Sequence, residues 1–211
     1  MSNEQRDNQI KEYFQDKLDR FGTSPRGADW NSPEAQNLRF DQLLKVIDQP
    51  SNFTVLDYGC GYGALANYML ENGLRYTRYY GYDILPSAIE TARSIYADST
   101  ALLHFTTELE SLQRVDFAVA SGVFNIRLDS PYQIWTEYVI EKLTYLNDMT
   151  KRGFSSNFLT KYSDADRMKP QLYYADPCYL FDYCKRHFSR NVAILHDYDL
   201  YDFTLIVRKN G

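Results

Sequence analysis

The apolar positions of this chain follow two different rhythms. Over residues 10–21, Ile10, Tyr13, Phe14, Leu18 and Phe21 recur three or four apart, the period of a one-sided helix, and Gly22 marks its end. A turn-rich break, FGTSPRGADWNSP, follows. Ser32 then stands where an N-cap belongs, Pro33 takes the first helical position, and Phe40, Leu43, Leu44 and Ile47 form the stripe of a second helix. From Phe53 the rhythm changes. The runs FTVLDY, RYYGYDI, ALLHFT, VDFAVASG and GFSSNFL read as strands, and helical segments start between them at Ala64, near Pro86 and at Pro131. Asp176-Pro177 opens a further helix that reaches His187 or Phe188.

The last two runs break the alternation. NVAILHDY and YDFTLIVRK lie only a few residues apart, too close for a crossover to a parallel neighbour, so they pair antiparallel. The expected fold is a doubly wound, Rossmann-like α/β sheet of seven strands with an antiparallel last strand. Residues 1–50 are expected as an N-terminal helical lid and 51–211 as the single folding unit beneath it.

Composition narrows the partners. The chain has 211 residues and a net charge of −5, with no Lys/Arg run beyond pairs, which argues against nucleic acid. Nineteen tyrosines suit a packed shell around a partly polar pocket. The three cysteines, Cys60, Cys178 and Cys184, form no CxxC and fit reduced thiols in a cytoplasm. The first seventeen residues are too polar for a signal peptide or anchor, and no apolar run approaches the ~20 residues of a membrane span. No metal-ligand spacing is visible.

The chemistry concentrates in VLDYGCGYGALA, residues 55–66. A phosphate-cradling GxxxxGK loop is excluded, because no lysine follows these glycines until Lys142. Gly59, Gly61 and Ala64 do satisfy the dinucleotide pattern GxGxxA, so the pattern alone also admits an NAD(P)-dependent oxidoreductase. Asp83, 24 residues past Gly59, ends the second strand where an acid grips ribose hydroxyls in either case.

Asp57-Tyr58-Gly59-Cys60-Gly61-Tyr62-Gly63, Asp83 in GYDI and the reversed last strand together resemble the class I S-adenosylmethionine-dependent methyltransferases. The resemblance covers about residues 30–211. It implies S-adenosylmethionine as cofactor, held by Asp57, Gly59, Gly61, Asp83 and Ile84. In the same family an acid at the place of Glu108 meets the adenine edge, and Ser121 would face the transferable methyl. Arg39, on the helix expected to cover the pocket, would take the cofactor carboxylate. The physics agrees with the loop. A ligand without phosphate needs only close backbone approach, and Asp57 suits an ammonium and a sulfonium better than a pyrophosphate.

For a catalytic base, His196 is the one histidine expected at the ligand rim; Asp197, its neighbour on the strand, points to the other face. Tyr173, Tyr174, Trp30 and Phe21 are candidate walls for an acceptor. DPCY at 176–179 resembles the DPPY motif of nitrogen methylation, but it falls at a helix start, whereas the fourth strand ends in SGVFN. The reading is a cytoplasmic methyltransferase of a small molecule with the acceptor atom open. The rivals are the oxidoreductase, disfavoured by Asp57 and the reversed strand, and a non-catalytic scaffold on the same fold.

Overall fold

The computed structural model describes residues 3–28, 30, 32–49 and 51–209. Helix α1 (Asn3–Phe21) stops at Gly22, whose φ of 56° is left-handed. Helix α2 (Pro33–Leu44) starts as its sequence predicts, with Ser32 Oγ accepting from the Ala35 amide at 3.2 Å, and ends about a turn before Ile47. Then come β1 (Ser51–Tyr58), α3 (Ala64–Glu71), β2 (Arg75–Tyr82), α4 (Pro86–Ile95), β3 (Leu103–Thr106) and β4 (Val115–Ala120). They are followed by α5 (Tyr132–Met149), β5 (Thr150–Thr160), β6 (Tyr174–Ala175), α6 (Pro177–His187), β7 (Asn191–Leu195) and β8 (Asp202–Arg208).

The sheet runs β3-β2-β1-β4-β5-β8-β7, parallel from β3 to β5, with β8 antiparallel to both of its neighbours. The seven expected strands are all present. An eighth, β6, pairs parallel with the end of β5, and two residues are too short to carry a period. The strand order reverses direction between β1 and β4, which opens a crevice beyond their carboxyl ends.

Both faces of β1 are covered, so its side chains divide between two cores. Phe53 and Val55 join Leu65, Tyr79 and Phe117 on one side, while Leu56 and Tyr58 join Phe124, Trp135 and Phe154 on the other. Helix α2 buries Phe40, Leu43 and Leu44 in the first of these, and Ser155 Oγ donates to the Leu43 carbonyl at 2.8 Å. It was expected as half of the lid, yet its apolar stripe belongs to the core, and only Gln36 and Phe40 of it reach the crevice that α1 covers. Asp176 caps α6 through the amides of Cys178 and Tyr179, as the helix-start reading of DPCY requires. No described helix is long and apolar enough to cross a membrane.

Candidate active site

The glycine loop is shaped by hydrogen bonds from the neighbouring strand. The amides of Gly59 and Cys60 both donate to the Tyr82 carbonyl, at 2.7 and 2.9 Å, and this folds the chain over the end of β2. Gly59 has φ 81°, and a Cβ there would sit 2.4 Å from Val123 Cγ2, so the loop lies flush against the segment after β4. Gly61, with φ 52°, has no neighbouring atom within 4 Å of its missing Cβ and lines the crevice. One glycine allows close packing of protein on protein; the other leaves space for a ligand.

Two carboxylates stand behind the loop. Asp57 is 2% exposed, and its Oδ2 accepts from the Tyr79 hydroxyl. Burial pushes its carboxyl from 3.8 up to about 7, the Tyr79 hydrogen bond pulls it back, and the nearby Asp83 charge adds to the rise. Asp83 buckles the loop: its Oδ2 accepts from the Gly61 amide and its Oδ1 from the Leu85 amide, each at 2.9 Å. Burial raises its carboxyl too, opposed by bonds from the Leu85, Gly61 and Ile84 amides. A carboxylate offers about four acceptor positions. Asp83 therefore keeps at least one open acceptor position for a ligand hydroxyl after bonding its own backbone.

Ser121, Gly122 and Val123 form the wall after β4, with Asn125 and Ile126 beyond them. Ser121 Oγ is enclosed without a hydrogen-bond partner, an arrangement that leaves a polar atom unsatisfied until something else arrives. Trp30 closes one side. The roof is α1, which presents Ile10, Phe14 and Leu18, four residues apart along one helical face.

Asp57, Gly59, Gly61, Asp83, Ile84 and Ser121 all line this one cavity. Three other sequence-predicted residues do not. Arg39 is buried, its guanidinium stacked 4.5 Å from the Trp30 ring and its Nη2 2.5 Å from Asp202 Oδ2, so its charge is already matched inside the protein. Glu108 is exposed ahead of a short 3-10 turn (Leu109–Ser111) following β3. His196 is exposed at the end of β7, against Tyr162 and Phe203, at the far edge of the sheet. Of the expected acceptor walls, Trp30 lines the cavity. Phe21 and Tyr174 do not, and Tyr173 is committed to the core with its hydroxyl 3.0 Å from Thr136 Oγ1. The roof residues carried a visible helical period in the sequence, but nothing local told where that face pointed. Among the described residues, no three His, Cys, Asp or Glu side chains gather to hold a metal.

These features fit S-adenosylmethionine: an open glycine cradle, two desolvated carboxylates and an orphaned hydroxyl on one cavity wall. The family model described as Methyltransferase domain matches residues 4–190. Over 166 residues the chain is 43% identical to Rv1506c of Mycobacterium tuberculosis (strain ATCC 25618 / H37Rv), a methyltransferase by name, covering 79% of this chain and 99% of that one. Among solved structures, magnesium protoporphyrin IX methyltransferase (ChlM) from Synechocystis PCC 6803 with bound SAM is similar at TM-score 0.66 and 16% identity, over 97% of each chain. N-methyltransferase NodS from Bradyrhizobium japonicum WM9, in complex with S-adenosyl-l-homocysteine, matches at TM-score 0.63 and 14% identity, over 95% of this chain and 98% of that one. At such identities the structural likeness speaks for the fold, and the sequence matches speak for the family. The chain belongs to the methyltransferase domain family and carries the class I fold of S-adenosylmethionine-dependent methyltransferases.

Proposed function

We propose that this methyltransferase holds S-adenosylmethionine at Asp57, Gly59, Gly61, Asp83, Ile84 and Ser121 and methylates a small-molecule acceptor. The observation that carries the reading is the Asp83 buckle, which bonds the Gly61 amide while the open side of Gly61 faces the cavity. When bound, the cofactor supplies a methyl group made electrophilic by its sulfonium. The chain's own contribution is alignment and shielding, and alignment dominates an in-line displacement. Asp83 has an open acceptor position for a ribose hydroxyl, and Asp57 sets a negative charge behind the loop. The roof of Ile10, Phe14 and Leu18, facing Val123, Ile126 and Tyr138, suits an acceptor with an apolar body. We assign the protein to the cytoplasm on its three free cysteines, with neither nucleic acid nor membrane as partner.

Calorimetric titration tests the cofactor. S-adenosylmethionine and S-adenosylhomocysteine bind and NAD does not; the reverse result would return the site to the oxidoreductases. Asp83→Ala weakens the cofactor about ten- to a hundredfold, the cost of a charge-assisted hydrogen bond. It also lowers the melting temperature, because the Gly61 and Leu85 amides lose their acceptor. A lower melting temperature with unchanged affinity would mean that the ribose is gripped elsewhere. Transfer of labelled methyl into a metabolite pool separates an enzyme from a scaffold.

The movable lid in this reading is α1, since α2 is anchored in the core. Its ties to the domain include Ser87 Oγ donating to Gln15 at 2.7 Å, Gln9 to Asp129 at 3.4 Å, Arg6 over the Tyr138 ring at 3.9 Å, and Ile10 against the core. Because the face carrying Ile10, Phe14 and Leu18 lines the cavity, it gains burial when the cavity fills, and this favours a helix that opens locally and closes over its ligands. Amides of residues 10–21 are expected to exchange quickly in the free protein and slowly with cofactor and acceptor present. Equal protection in both states would make α1 a fixed part of the core.

A further inference from the structure

The buried Arg39–Asp202 pair stabilises little by its burial alone, since such pairs roughly break even against apolar replacements. It does, however, lead to the cavity. Asp202 Oδ1 accepts from Asn157 Nδ2 at 2.9 Å, and Asn157 Oδ1 accepts from the Gly122 amide at 2.7 Å. Asp202 and Asn157 are 1% and 0% exposed, so these groups are shut off from bulk solvent. Gly122, with φ 72°, follows Ser121 in the cavity wall, and a Cβ on it would lie 2.4 Å from Trp30, the ring over which the Arg39 guanidinium stacks. Four segments distant in sequence thus meet in one closed circuit around the Ser121–Gly122 turn.

We propose that Asp202 and Asn157 are positioning residues for this turn, and that the carboxylate belongs at 202 for a reason of donor arithmetic. The chain of bonds begins with a donor, the Arg39 guanidinium, and ends with a donor, the Gly122 amide. Between them stand one acceptor-only group and one amide that has one donor side and one acceptor side. That sequence sets a donor against an acceptor at every link and allows Asn157 a single orientation, its oxygen toward Gly122. With an amide at 202 as well, two donors must face each other somewhere along the line, whichever way the amides turn. With carboxylates at both places, two acceptors must. Exchanging the two residues restores the alternation: Arg39 to Asn at 202, that amide to Asp at 157, and the Gly122 amide to the same carboxylate. That this turn serves a methyl donor rests on the function proposed above; the network itself does not.

The test is the swap. Exchange of the Gly122 amide is followed by NMR without ligand, and S-adenosylhomocysteine affinity by calorimetry. D202N speeds Gly122 exchange about tenfold or more, and D202N and N157D each weaken the ligand about tenfold, the scale of one buried bond lost. The Phe154 and Val207 amides of β5 and β8 keep their protection. The double variant D202N/N157D returns both readings to within about threefold of wild type. The proposal is overturned if D202N leaves Gly122 protection and affinity unchanged, if all sheet amides lose protection equally, or if the swap behaves no better than the single variants. Should a single variant fail to fold, the swap decides alone: it keeps each donor–acceptor link while moving the carboxylate one step from Arg39, and an unfolded swap overturns the proposal. A wild type with a protected Gly122 amide but no affinity for S-adenosylhomocysteine would sink the cofactor reading and leave the network standing.

Discussion

Gly61→Val is expected to remove about a hundredfold or more of the affinity for S-adenosylmethionine while the domain still folds. The two effects separate because of where this glycine sits. In the ligand-free protein its Cβ position meets nothing within 4 Å, so a valine there overlaps no protein atom. The folding cost is the left-handed backbone at φ 52°, roughly 1–2 kcal/mol for a side chain with a Cβ, or a few degrees of melting temperature in a chain of this size. The binding cost is larger, because the branched side chain occupies the space into which the loop backbone must receive its ligand. Gly59→Val gives the opposite balance. Its Cβ would meet Val123 Cγ2 at 2.4 Å, so it disturbs the packing of the loop on the next segment and costs stability first. Thermal melts and titrations on the two variants read the contrast. Wild-type affinity in a folded Gly61→Val protein would remove the loop from the site.

The sequence exposed the site wherever a residue's role depended on its own strand end, and hid it wherever the role depended on the order of strands in space. Gly59, Gly61, Asp83 and Ser121 each lie within three residues of the end of β1, β2 or β4, the strands around the switch point, and chain order suffices to place them there. Glu108 and His196 also follow strand ends on the crevice edge, but β3 and β7 are the two outer strands of the sheet, so these ends lie to the sides of the crevice. Nothing in a linear reading distinguishes a central strand from an edge strand when both are short apolar runs. Arg39 failed differently. Its partner Asp202 is 163 positions away, and an arginine one residue before an apolar position looks like a surface residue until the last strand arrives beside it. The partnership of Asp57 with Tyr79 was hidden for the same reason, though the aspartate itself was in plain view.

Cofactor affinity is expected to rise as pH is raised from about 5.5 to about 7 and then to level off, with Asp57 as the cause. In the folded, ligand-free protein its carboxyl titrates at about 7, against 3.8 for a free aspartate, chiefly because burial disfavours the charged form. Between those values the native state holds a proton that the unfolded chain has lost. Stability from this group is therefore present in full below about pH 4 and falls as pH rises through about 7, by an amount on the order of 4 kcal/mol. A cationic ligand reverses that balance. Placed near Asp57, the ammonium or sulfonium of S-adenosylmethionine favours the carboxylate, so binding below pH 7 must expel the proton, and affinity changes by up to about tenfold per pH unit. Above pH 7 the proton is already gone and the slope vanishes. Asp57→Asn has no proton to lose there and gives a flat profile at reduced affinity, while its stability no longer declines toward neutral pH. Titrations and melts of both proteins from pH 5.5 to 8.5 check the two slopes together. A wild-type affinity independent of pH would mean that the cofactor's positive charge lies too far from Asp57 to be its partner, and that this carboxyl serves the fold through Tyr79 instead.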